Sequence, residues 1–83
     1  MERNKIEMEV NDILLSLFDI DYSEIKNDAV LADDFGADSL DELEIIMKLE
    51  QKFGIIVPDE KMYHSMSKGC SVKDIYDLVE ELL

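Results

Sequence analysis

The chain has 83 residues, of which 47% are hydrophobic, enough for one small packed domain, 1–83, and too apolar for a disordered polymer. Twenty-one acidic residues against eight basic ones leave a net charge of −13. That excess excludes nucleic acid, whose binding needs Lys and Arg to displace counterions, and favours partners with basic surfaces.

The first segment, about Arg3 to Phe18, carries Ile6, Val10, Ile13, Leu14 and Leu17 at i, i+4, i+7, i+8 and i+11. This spacing predicts an amphipathic helix with one apolar stripe. The charged start, MERNKIEMEV, lacks the apolar core of a signal peptide, and no apolar run approaches the length of a membrane span. With a single cysteine, Cys70, no intrachain disulfide can form. A cytosolic protein without membrane insertion is expected; a processed organellar protein has the same signature.

A long connection follows, about Asp19 to Asp38. Asp19-Ile20-Asp21 and Asn27-Asp28 are turn-prone because short polar side chains compete for backbone hydrogen bonds. Ile20, Tyr22, Ile25, Val30, Leu31 and Phe35 are apolar enough to pin it to a core, and Ser23-Glu24-Ile25 suits a short helical turn. Connections this long either carry function or span the length of a bundle.

The second main helix runs from Ser39 to Lys52 or Phe53 and stops at Gly54, a natural C′ residue. At about 100° per residue, Ile45, Ile46, Leu49 and Phe53 share one side. Leu40, Leu43 and Met47 share nearly the opposite side. Asp41, Glu44, Lys48, Gln51 and Lys52 lie mainly between. A helix packed only within its own domain needs one apolar stripe. The second is either covered by the long connection or exposed to partners, and its acidic border and adaptable Met favour partners.

Ile55-Ile56-Val57 before Pro58 favours extended backbone. Pro58 or Asp59 can open a short helix with Met62, Tyr63 and Met66 as its apolar contacts. Ser67-Lys68-Gly69-Cys70 reads as a loop, with Cys70 an incidental thiol. Ser71 and Asp74 form a capping box before a last helix with Val72, Ile75, Tyr76, Val79 and Leu82 on one stripe. The expected fold is all-α: a small antiparallel bundle of three main helices plus one short helix, with a long loop between helices one and two.

Enzymatic chemistry finds little purchase here. His64 is the only histidine and Cys70 the only cysteine, so one chain cannot build a Cys/His zinc cluster. There is no glycine-rich phosphate loop, and Gly36-Ala37-Asp38-Ser39-Leu40 lacks the second glycine of a nucleophile elbow. EF-hand registers starting at Asp19 or Asp33 put an acidic residue where glycine is required. Ser39 followed by Glu42 fits an S-x-x-E capping box. Alternatively Asp38 caps the helix and the serine hydroxyl is left free, with Gly36 and Ala37 keeping its approach open. Phosphate at a helix start gains from free N–H groups, but Asp34, Asp38 and Asp41 repel a diffusing anion, so a phosphate there is more easily covalent than bound.

The run Asp34-Phe35-Gly36-Ala37-Asp38-Ser39-Leu40-Asp41, then Leu43-Glu44, Met47, Leu49-Glu50, Phe53-Gly54 and Val57-Pro58-Asp59-Glu60, resembles the acyl carrier proteins, especially the stand-alone type of fatty acid synthesis. The likeness covers nearly the whole chain. It implies that Ser39 is esterified by 4′-phosphopantetheine, taken from coenzyme A by a phosphopantetheinyl transferase, and that Asp38 and Leu40 belong to the attachment site. It implies recognition by Asp41, Leu43, Glu44 and Met47, an acyl pocket lined by Ile45, Ile46 and Leu49, acyl chains as cargo, and a monomer with no catalysis of its own. The partners implied are acyl-chain-processing enzymes with basic docking surfaces. A carrier for polyketide or other specialised lipid chemistry, or a cofactor-free acidic helical module, are the rival readings. Against the family pattern, Phe35 replaces a common leucine, Lys61–Ser71 is longer, and Lys48 and Lys52 dilute the acidic face.

Overall fold

The computed structural model describes residues 1–58 and 69–83. Four α-helices lie in the described residues: α1 (Arg3–Leu17), α2 (Leu31–Phe35), α3 (Ser39–Phe53) and α4 (Val72–Leu82), with a 3-10 turn at Tyr22–Glu24. No strand occurs among these residues, only an isolated bridge between Val30 and Ser71. The expected short helix after Pro58, with Met62, Tyr63 and Met66, lies outside the described residues, as does His64.

The predicted stripes become the core. Ile6, Val10, Ile13 and Leu14 of α1 meet Ile45, Ile46 and Leu49 of α3 and Val72, Ile75, Tyr76, Leu78 and Val79 of α4. Each fully buried Ile or Leu contributes about 1.5–3 kcal/mol relative to exposure. Helix α1 packs against both α3 and α4. Arg3 at its start pairs with Asp77 and Glu80 near the end of α4, so these two helices run antiparallel. Lys52 at the end of α3 pairs with Glu9. One polar group joins the α1 stripe: the Tyr76 hydroxyl donates to buried Asn11 Oδ1 at 2.5 Å.

The long connection is fastened rather than loose. Leu31 N–H donates to the Cys70 carbonyl, Val72 N–H to that of Ala29 and Lys73 N–H to that of Asn27, at 3.0, 2.9 and 3.1 Å. These bonds stitch the connection to the start of α4. They also bury Cys70, which is therefore not an incidental loop thiol but part of the core. Tyr22, expected to pin the connection, is exposed instead.

Helix α2 lies inside the segment read as loop. Five residues are too few to show a helical stripe in sequence. Local bonds hold it: Asp34 Oδ2 accepts from Val30 N–H at 2.6 Å, and Leu31 anchors it in the core. Gly36, at φ 70°, ends it. Helix α4 starts on the expected box, with Asp74 N–H donating to Ser71 Oγ and Ser71 N–H to the Asp74 carboxylate. After α3, Ile55 and Val57 are buried and Ile56 between them is exposed, the alternation the predicted extended segment calls for, and Val57 N–H donates to the Glu50 carboxylate.

Candidate functional site

The chain turns sharply between α2 and α3, and the residues doing so are small. Gly36 takes the left-handed conformation that side chains resist. Ala37 is buried, its N–H donating to the Leu31 carbonyl at 3.1 Å. Asp38 then caps α3. Its Oδ1 accepts from Asp41 N–H at 2.9 Å, and its own N–H donates to Asp41 Oδ2 at 3.1 Å.

This reciprocal box replaces the alternative one between Ser39 and Glu42. Once Asp38 caps the helix, Ser39 becomes its first residue, exposed, with no side-chain hydrogen bond to another described residue. The signal for this was D-x-x-D, one position ahead of the S-x-x-E pattern. Asp41, expected as a recognition residue, closes the box.

The site is acidic and its charges interact. Partial burial holds the Glu42 carboxyl above the usual range, with Asp38 and Asp41 adding to the effect. Such surroundings disfavour a free anion. They suit a covalently held phosphate at the helix start, because the N–H groups of the first turn lack intrahelical acceptors and the dipole favours negative charge. A phosphate ester on the open Ser39 hydroxyl therefore fits the residues present.

Beyond Ser39, α3 presents its two stripes to different surroundings. Leu40, Leu43 and Met47 are 75%, 47% and 54% exposed, so the long connection does not cover them. Glu44 is exposed beside this stripe and Asp41 is half-buried. On the other side Ile45, Ile46 and Leu49 are 0%, 1% and 0% exposed, closed within the core.

Comparisons with known proteins agree with this geometry. The family model described as the phosphopantetheine attachment site matches residues 9–67. An acyl carrier protein of Chloroherpeton thalassium is 43% identical over 81 residues, covering 98% of this chain and 96% of the relative. One of Campylobacter hominis is 38% identical over 74 residues, covering 89% of each. A solved acyl carrier protein from Enterococcus faecalis matches the fold with a TM-score of 0.80 at 25% identity, over 100% of both chains. A chain of this fold, with a phosphopantetheine attachment domain over most of its length, belongs to the acyl carrier protein family.

Proposed function

We propose that residues 1–83 act as one carrier domain, that Ser39 is the attachment residue, and that the protein carries acyl intermediates for fatty acid biosynthesis. The observation that carries this reading is the Asp38–Asp41 box. It occupies the capping position and leaves the Ser39 hydroxyl exposed and uncommitted at the start of α3. In loading, the Ser39 oxygen gives up its proton and forms a new ester bond to phosphorus, while the nucleotide half of coenzyme A departs. When bound, 4′-phosphopantetheine supplies a terminal thiol that holds acyl groups as thioesters.

The chain contributes placement rather than catalysis. Leu40, Leu43 and Met47, bordered by Asp41 and Glu44, offer an apolar stripe with an acidic rim to enzymes with basic docking surfaces. Ile45, Ile46 and Leu49 supply apolar surface that an acyl chain reaches by parting the helices. A monomer acting in the cytosol fits this role, and among the described residues no helix is long and apolar enough to cross a membrane.

Intact-mass measurement after incubation with coenzyme A and a phosphopantetheinyl transferase tests the assignment. The expected result is a gain of one phosphopantetheine on the wild type and none on Ser39→Ala. A wild type that gains nothing favours the cofactor-free module, and a Ser39→Ala variant that still gains mass moves the site elsewhere.

A further inference from the structure

A groove of about 680 Å³ lies between the 3-10 turn and α2. Its apolar lining, Ala29 and Phe35, is fixed. Phe35 is braced by Phe18, ring centroids 5.8 Å apart, and the Ala29 carbonyl is held by Val72 N–H at 2.9 Å. Two carboxylates in the wall are committed to the backbone: Glu24 accepts from Asp21 N–H and Asp34 from Val30 N–H. Ser23, Lys26 and Asp28 complete the lining, exposed, with no side-chain bond or ion pair to another described residue. The groove thus pairs a small apolar patch with one uncommitted cationic donor, one uncommitted carboxylate acceptor and a hydroxyl.

This chemistry selects against simple ions. Lys26 is the one cationic lining residue and is offset by Asp28, with Glu24 and Asp34 also in the wall, so a free anion gains little in a chain of net charge −13. Among the described residues no group of His, Cys, Asp or Glu is arranged to hold a metal. What fits is an uncharged, flexible chain that combines a methyl-bearing carbon with hydroxyl and amide groups. Its carbonyls accept from Lys26, its hydroxyl or N–H groups donate to Asp28, and its methyl groups rest on Phe35 and Ala29.

A group of that class is attached nearby on the reading above. Phe35 stands four residues before Ser39, and at 3.8 Å per Cα step their Cα atoms are at most about 15 Å apart. A tether also raises the effective concentration to the order of mM, so contacts too weak to hold a free ligand suffice.

We propose that this groove is a resting berth for the unloaded pantetheine arm, holding it along the loop side of α2 and away from the Leu40–Leu43–Met47 stripe. The berth rests on the assignment of Ser39 as attachment residue. An arm lying there leaves the partner-facing stripe open and keeps the thiol close to the protein.

The test compares apo and loaded forms of the full chain by nuclear magnetic resonance. Loading is expected to shift the amides of Ser23, Lys26, Asp28 and Ala29, and to give Overhauser contacts between the arm's geminal methyl groups and the Phe35 ring. In the loaded Lys26→Ala/Asp28→Ala variant these contacts weaken several-fold, while α1 and α4 amides keep their positions. Shifts confined to residues 36–42, with no arm contact to Phe35 or Ala29, overturn the berth, as do contacts unchanged in the double variant. A chain that gains no mass at Ser39 removes the carrier reading and the berth together. Loading without groove contacts removes the berth alone.

Discussion

Ser39 and Cys70 are the two residues whose surroundings decide what they can do. The cap beside Ser39 stood in the sequence as one of two alternatives, because its partners are local: Asp38, Asp41 and the small turn residues lie within a few positions, and capping chemistry acts at that range. Cys70 was not legible, because its burial depends on bonds to Asn27, Ala29 and Leu31, some forty residues away along the chain. Ser-Lys-Gly-Cys reads as loop when only the local composition is weighed. Burial pushes the Cys70 thiol up to about 12, with Asp74 and Glu42 adding to the effect. Above the ordinary value of 9.0 the unfolded thiol releases its proton while the folded one keeps it. Rising pH then favours unfolding. The contribution of this thiol is fully present below pH 9.0 and is lost as pH climbs towards 12. Urea midpoints across that range should fall more steeply for wild type than for Cys70→Ala, which cancels the parallel effect of buried Tyr76. Equal slopes would show that the thiol ionises in the fold as freely as out of it. The same burial keeps Cys70 from competing with the arm's thiol for acyl groups at neutral pH.

At the scale of the element, α3 is defined by its ends as much as by its stripes. The Asp38–Asp41 box starts it and Gly54, at φ 66°, stops it. Both signals stand in the sequence, and with fifteen residues the helix is long enough for its two stripes to separate. Helix α2 had neither advantage. It spans five residues, capped by a reach-back from Asp34 that follows no S/T-x-x-E pattern, and such a short helix persists through tertiary contacts rather than propensity. The box also allows the two tasks of Asp38 to be separated. Replacing Asp38 with Ala removes the acceptor for Asp41 N–H and should cost about 1 kcal/mol, read as a lower urea midpoint. Asp38→Asn keeps a capping oxygen and should remain within a few tenths of a kcal/mol of wild type. If the carboxylate also serves the attachment reaction, loading by the transferase falls in both variants. Loading that tracks stability, lost in Ala and kept in Asn, would leave Asp38 a cap and nothing more.

For the whole molecule the governing quantity is charge. The chain holds a net −13 within principal extents of 26 × 25 × 19 Å. At about 0.01 M salt the screening length of roughly 30 Å exceeds the molecule, so every carboxylate feels the rest; at 0.15 M it is about 8 Å and only neighbours count. The three carboxylates gathered on Arg3, the only arginine, relieve one end of the bundle, where α1 meets α4. They are partly exposed pairs at the surface, worth about 0–1 kcal/mol each, too little to offset the general repulsion. Screening should therefore stabilise the fold, with the melting temperature rising as salt or Mg²⁺ is added. Partner association should respond in the opposite direction. On the proposed reading the acidic rim of α3 would draw basic surfaces by long-range attraction, which salt weakens. Glu44 is the exposed charge beside the outward stripe, so Glu44→Lys should slow association with a basic partner at low salt, with the helical signal and melting temperature retained. The slowing should fade at high salt, where wild type and variant converge. Association at low salt that ignores the reversal removes Glu44 from the interface. A melting temperature that falls as salt is added removes self-repulsion as the force this fold must overcome.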